Sequence, residues 1–209
     1  VRRCHARLAF GVAAVLLSYP DGDYAQDLEA VAGALERLPG GEVRDGLSAT
    51  RGALAAMGLF EAQGRYVETF DLSRRRSLHL TYYRYGDTRE RGLALAALGA
   101  AYRRAGVTLA PGELPDFLPA LLELAAVSAV GQSVLSEHRG ALAALQEALS
   151  GSDSPWGGAV GAVRAATGGL TRGDGAFLRH YRSEGPPAER VGLEPFAPPE
   201  VLGQGITTR

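Results

Sequence analysis

The side chains of this chain that could do chemistry are concentrated in residues 66–91, YVETFDLSRRRSLHLTYYRYGDTRER. The whole chain has eight tyrosines, six phenylalanines and one tryptophan, and five of these aromatics lie here: Tyr66, Phe70, Tyr82, Tyr83 and Tyr85. Six arginines and the carboxylates of Glu68, Asp71, Asp87 and Glu90 are interleaved with them. Such mixtures are enriched where proteins recognise one another, because they join large apolar area to directional polar groups. Bond-making chemistry has little support. There is no Gly-x-Ser-x-Gly elbow, no phosphate-binding loop with its Gly-Lys-Ser/Thr ending and no dinucleotide glycine fingerprint. The pairs Gly157-Gly158 and Gly168-Gly169 are isolated and read as helix punctuation.

Other ligand classes are excluded by spacing and charge. His5, His79, His138 and His180 are dispersed, and adjacent Cys4 and His5 would point to different faces of a helix, so no metal site is expected. One cysteine permits no intramolecular disulfide. All 22 basic residues are arginine against 23 acids, a formal charge of -1, and this balance argues against a nucleic-acid binder. The remaining reading of residues 66–91 is a receptor for a helical peptide. Tyr66, Phe70, Tyr82 and Tyr83 would wall an apolar groove, with Glu68, Asp71, Asp87, Asp116 and Glu123 rimming it for a basic amphipathic segment. The alternative is that the aromatics fill the core while the acids pair with nearby arginines, and composition leaves both open.

The elements that must position these residues are helices. Phe10, Ala13, Ala14 and Leu17 recur at helical spacing and predict a core helix over 4–18, rather than a signal peptide behind Arg2-Arg3. Further helices are predicted over 24–38, 43–60, 89–105, 120–130, 132–149, 156–166 and 174–182, separated by Pro and Gly breakers. Tyr66, Phe70 and Arg74 would share one helical face. No alternating run predicts a strand. The expected fold is all-α, a single bundle-like domain of about eight to ten helices over 1–184. Residues 185–209 hold five of the eleven prolines and read as a flexible or strap-like tail.

Residues 66–92 strongly resemble the signature of the nitrate reductase molybdenum cofactor assembly chaperones, the NarJ branch of the TorD/DmsD redox-enzyme maturation proteins. Leu17-Ser-Tyr-Pro-Asp21 and Glu113-Leu-Pro-Asp-Phe-Leu-Pro-Ala-Leu-Leu-Glu-Leu-Ala125 agree with it, and the similarity is collinear over roughly residues 8–180. The resemblance implies a cytoplasmic, all-helical chaperone that is not an enzyme and holds no cofactor stably. Its partner would be the catalytic (alpha) subunit of a membrane-bound nitrate reductase, bound at its N-terminal segment until bis-molybdopterin guanine dinucleotide is inserted. The family motif falls on Tyr66 and Phe70, on Tyr82, Tyr83, Gly86 and Asp87, and on Leu114, Pro115 and Asp116. Where the family often has histidine after Pro-Asp, this chain has Phe117.

Overall fold

The computed structural model describes residues 3–187, and the fold is all-α. Its helices are α1 (Arg3–Leu17), α2 (Tyr24–Leu35), α3 (Glu42–Ala55), α4 (Leu59–Tyr66), α5 (Leu80–Tyr85) and α6 (Arg89–Ala105). They continue with α7 (Leu118–Val127), α8 (Ala129–Glu137), α9 (Arg139–Ser150), α10 (Gly157–Thr167) and α11 (Arg172–Glu184). Two predicted helices are divided. The first breaks at Met57-Gly58, between α3 and α4, and the second at His138, whose φ of -103° and ψ of 15° fall outside the α region. The expected tail lies, from residue 188 on, outside the described residues, as does Arg2.

The predicted stripe of α1 is the centre of the core: Phe10, Ala13, Ala14 and Leu17 are all at most 2% exposed. Around it pack α2, α3, α7 and α10. Helix α7 is apolar on nearly every side, and Pro119 sits in its first turn, where a missing N–H costs nothing. A helix of that composition must be covered on most of its faces, and α1 and α8 cover it.

Gly46 and Gly158 are not punctuation; they permit a close helix crossing between α3 and α10. A Cβ added at Gly46 would lie 2.5 Å from the Gly158 carbonyl oxygen, and Gly158 faces the Gly46 carbonyl in return. The same approach lets the Thr50 hydroxyl accept the Ala159 N–H at 2.9 Å, giving a free donor of the first turn of α10 a partner. Alanine usually stabilises a helix interior over glycine by about 1 kcal/mol. At Gly46 the obstacle is a helical backbone that cannot swing aside, so overpacking, at about 1–3 kcal/mol, wins. Gly46→Ala should therefore lower the urea midpoint, whereas Gly52→Ala, in open space on the same helix, should raise it.

Candidate functional site

The first half of the 66–91 stretch secures the end of α1. Helix α4 runs into a π-helical turn, Val67–Asp71, that buries Thr69 and Phe70 together, and a short 3-10 turn follows at Arg74–Arg76. Tyr66 and Phe70 do meet, with ring centroids 4.9 Å apart, and both pack edge-on against Trp156. Arg74, expected on the same face, is instead carried off by the change of helix type. The Tyr66 hydroxyl donates to the Leu17 carbonyl at 3.1 Å, and Trp156 Nε1–H donates to the Leu16 carbonyl at 2.9 Å. Two orphan carbonyls at the C-terminus of α1 are thus satisfied by side chains from distant segments. Tyr19, in the chain leaving α1, caps the cluster edge-on to Tyr66 at 5.3 Å.

The second half forms a clasp around Asp116. The backbone before α5 pairs with the backbone before α7: Leu80 N–H donates to Asp116 O at 3.0 Å and Leu118 N–H to Leu78 O at 2.8 Å. The Asp116 side chain is fully buried. His79 Nδ1 lies 3.0 Å from its Oδ1, while Oδ2 accepts from the Thr81 hydroxyl and backbone N–H and from Arg91 Nη2 at 3.4 Å. Burial works to raise the Asp116 pKa, but hydrogen bonds from His79 and Thr81 and the charges of His79 and Arg91 outweigh it. The net position is below the ordinary carboxylate value. Phe117 lies against the His79 ring at 5.5 Å. In this chain, then, a histidine reaches Asp116 from position 79.

Tyr82 lies beneath the Arg91 guanidinium, and the Tyr83 hydroxyl reaches the carbonyls of Arg75 and Ser77 at 3.1 and 2.9 Å. Burial pushes both the Tyr66 and Tyr83 phenols above the usual tyrosine range. Gly86 ends α5 with φ +54°, a left-handed conformation. The Pro187 carbonyl packs directly against it, where a Cβ would stand.

The structure therefore distributes the candidate residues differently from an open aromatic groove. Tyr66, Phe70, Tyr82 and Tyr83 are 4%, 5%, 8% and 1% exposed, so they are core, not wall. Large rings bury more apolar area than any other side chain, and here the fold uses it internally. Asp116 is inside as well and cannot serve as rim. Asp87 is exposed but already faces Arg74 at 3.8 Å and Arg91 at 3.7 Å. Glu68, Asp71, Leu114 and Glu123 are exposed, and Pro115 is half-buried beside Leu114. The charges of Asp71 and Glu113 both act on Tyr66, and those of Glu113 and Glu123 on Tyr102. Glu113 also acts on Glu123, raising its carboxyl after burial. Trp156, Tyr19, His79, Thr81 and Arg91 are not among the partner-binding residues expected from sequence. The lone tryptophan was the one visible signal among them.

Among the described residues no group of three or more His, Cys, Asp or Glu side chains is placed to hold a metal ion, and no helix is long and apolar enough to cross a membrane. The geometry is that of an all-helical body whose long motif fastens four distant segments together. The sequence model of the nitrate reductase delta subunit family matches residues 24–161, and the chain belongs to that family. It is 39% identical over 153 residues to the nitrate reductase-like protein NarX of Mycobacterium tuberculosis; the match covers 72% of this chain and 23% of NarX, so the chain spans about a quarter of that relative. It is 29% identical over 153 residues to the probable nitrate reductase molybdenum cofactor assembly chaperone NarJ of Bacillus subtilis, covering 71% of this chain and 82% of that one. The NarJ chaperone of Escherichia coli K12 is 37% identical over 111 residues, covering 52% of this chain and 47% of its own length.

Proposed function

We propose that this chain is an assembly chaperone, not an enzyme, for a respiratory nitrate reductase. It binds the apo catalytic (alpha) subunit at its N-terminal segment and holds it until bis-molybdopterin guanine dinucleotide is inserted. It acts in the cytoplasm and binds no cofactor stably itself. The observation that carries this reading is the family match over residues 24–161, and the relatives named as NarJ chaperones support it.

Within this reading the candidate residues take two roles. Asp71 and Glu123 meet cationic residues of the partner, and Glu68, Asp87 and Leu114 complete the exposed rim. Tyr66, Phe70, Tyr82, Tyr83, Gly86, Pro115 and Asp116 hold that rim from within. Apolar burial, at about 25 cal/mol per Å² before ordering costs, supplies most of the affinity. The charges set orientation and association rate. Calorimetric titration with a peptide of the partner's N-terminal segment should show saturable one-to-one binding that weakens with added salt. Absence of binding at any peptide concentration would overturn the N-terminal segment as the point of contact.

A further inference from the structure

Among the described residues an open apolar crevice lies along α1, on the stripe opposite Phe10, Ala13, Ala14 and Leu17. Arg7, Leu8, Gly11, Val12 and Val15 form one stripe of α1, and Asp27, Ala30, Val31 and Ala34 form the facing stripe of α2, with Arg7 at the end away from Asp27 and Val15. Both follow helical spacing, but small residues at Gly11, Ala30 and Ala34, with Ala126 from α7 beneath, leave the space between the helices unfilled. The result is a groove of about 460 Å³. Val15 is 40% exposed and Val127, next to Ala126, is 63% exposed. Apolar side chains are left at a solvent-facing crevice that a third helix could fill.

One end of this groove is acidic. At Val15 and Asp27 it runs into a second crevice of about 240 Å³, lined by Tyr19, Asp21, Tyr24 and Glu123. Asp23 stands in the same turn, and among the described residues none of Asp21, Asp23, Asp27 and Glu123 forms an ion pair. Burial, then Asp21 and Asp23, push the Asp27 carboxyl up; burial, then Glu113, does the same to Glu123. Asp21 and Asp23 thus repel Asp27, Glu113 repels Glu123, and among the described residues no ion pair offsets either cost. A cationic partner would relieve both costs, whereas anionic lipid or nucleic acid would be repelled.

We infer that the groove between α1 and α2 is the seat of an amphipathic helix from a partner protein, its apolar face against Leu8, Val15, Ala30 and Ala34 and its basic residues at the Asp21, Asp27 and Glu123 end. That the natural occupant is the catalytic subunit's N-terminal segment rests on the function proposed above; the groove and its charge do not. The motif contributes indirectly, since Tyr66 fastens the end of α1 and supports Tyr19 at the acidic mouth.

The test is calorimetric titration of the full chain with two probes: the catalytic subunit's N-terminal peptide and a Leu/Lys amphipathic helix of no natural origin. Ala30→Trp fills the groove from an exposed position, Val15→Asn removes its apolar edge, and Asp27→Asn with Glu123→Gln neutralises its mouth. Leu93→Ser, on the exposed side of α6, is the control. Binding of both probes should weaken about tenfold or more in Ala30→Trp and in Val15→Asn, the loss expected at a central contact. The neutralised variant should lose most of its salt dependence, and the control should bind as the wild type does. Undiminished binding of the natural peptide by folded Ala30→Trp and Val15→Asn overturns the groove and leaves the chaperone reading in place. Groove-dependent binding of the Leu/Lys helix alone upholds the groove and removes the N-terminal segment as its occupant. A wild-type chain that binds neither probe overturns the inference. So does a wild-type dimer that Ala30→Trp dissociates, since a second copy would then be the occupant.

Discussion

Asp116→Ala should lower the unfolding free energy by about 3–5 kcal/mol, the cost of removing one partner from a buried charged pair. The reason is positional. His79, Thr81 and Arg91 all direct polar atoms at this one carboxylate, and it is sealed from water that could replace it. Its removal takes the shared acceptor from His79 and Thr81, leaves Arg91 with only the exposed Asp87 as counter-charge among the described residues, and loosens the backbone pairing that joins the segments before α5 and α7. The folded-state pKa of Asp116 is depressed, so its contribution is fully present above the unfolded-state value of about 3.9 and is lost as pH falls through the folded value. Urea denaturation followed by circular dichroism should show wild-type stability falling in acid. Asp116→Asn should be less stable at neutral pH and flatter in acid. Equal acid sensitivity in wild type and Asp116→Asn would remove Asp116 as the titrating group.

The second large effect is expected at Trp156. The side chain is fully buried, touches Tyr66 and Phe70 and holds the Leu16 carbonyl, so Trp156→Ala combines a large cavity with an unsatisfied acceptor. A loss of about 3–5 kcal/mol is expected from the cavity. Trp156→Phe keeps most of the ring and loses the N–H, and should cost closer to 1 kcal/mol for the hydrogen bond. Because this is the chain's only tryptophan, its emission reports unfolding of the wild type directly. The alanine variant is followed by circular dichroism. Comparable stability of the alanine and phenylalanine variants would mean that ring packing is not what holds α1 to α10.

The difference between what was legible in sequence and what was not follows the range of the interactions. Helix α6 is announced locally, by Thr88 before it and Gly106 after it, and its predicted limits, 89–105, coincide with the observed ones. Helix α1 is announced by its apolar stripe. The breaks at Met57-Gly58 and His138 interrupt segments through which apolar periodicity runs on, so periodicity could not mark them. The aromatic motif was visible as a concentration of residues, but sequence could not say which side of the surface the rings occupy. That depends on Leu16, Leu17 and Trp156, up to 140 residues apart. Glycines 46 and 158 carry no local mark distinguishing a helix crossing from a breaker. The α1–α2 groove was invisible for a related reason: it is a space left by small residues on two helices, and only their packing reveals it.

The most direct test is the molybdenum content of the nitrate reductase catalytic subunit made in cells lacking any chaperone of this family, with and without this chain. If the chain is the assembly chaperone proposed here, the purified subunit should gain molybdenum and nitrate-reducing activity when the chain is present, and the gain should be lost in the folded Ala30→Trp variant if the groove is the seat. A subunit that is equally loaded and equally active without the chain would contradict the proposal.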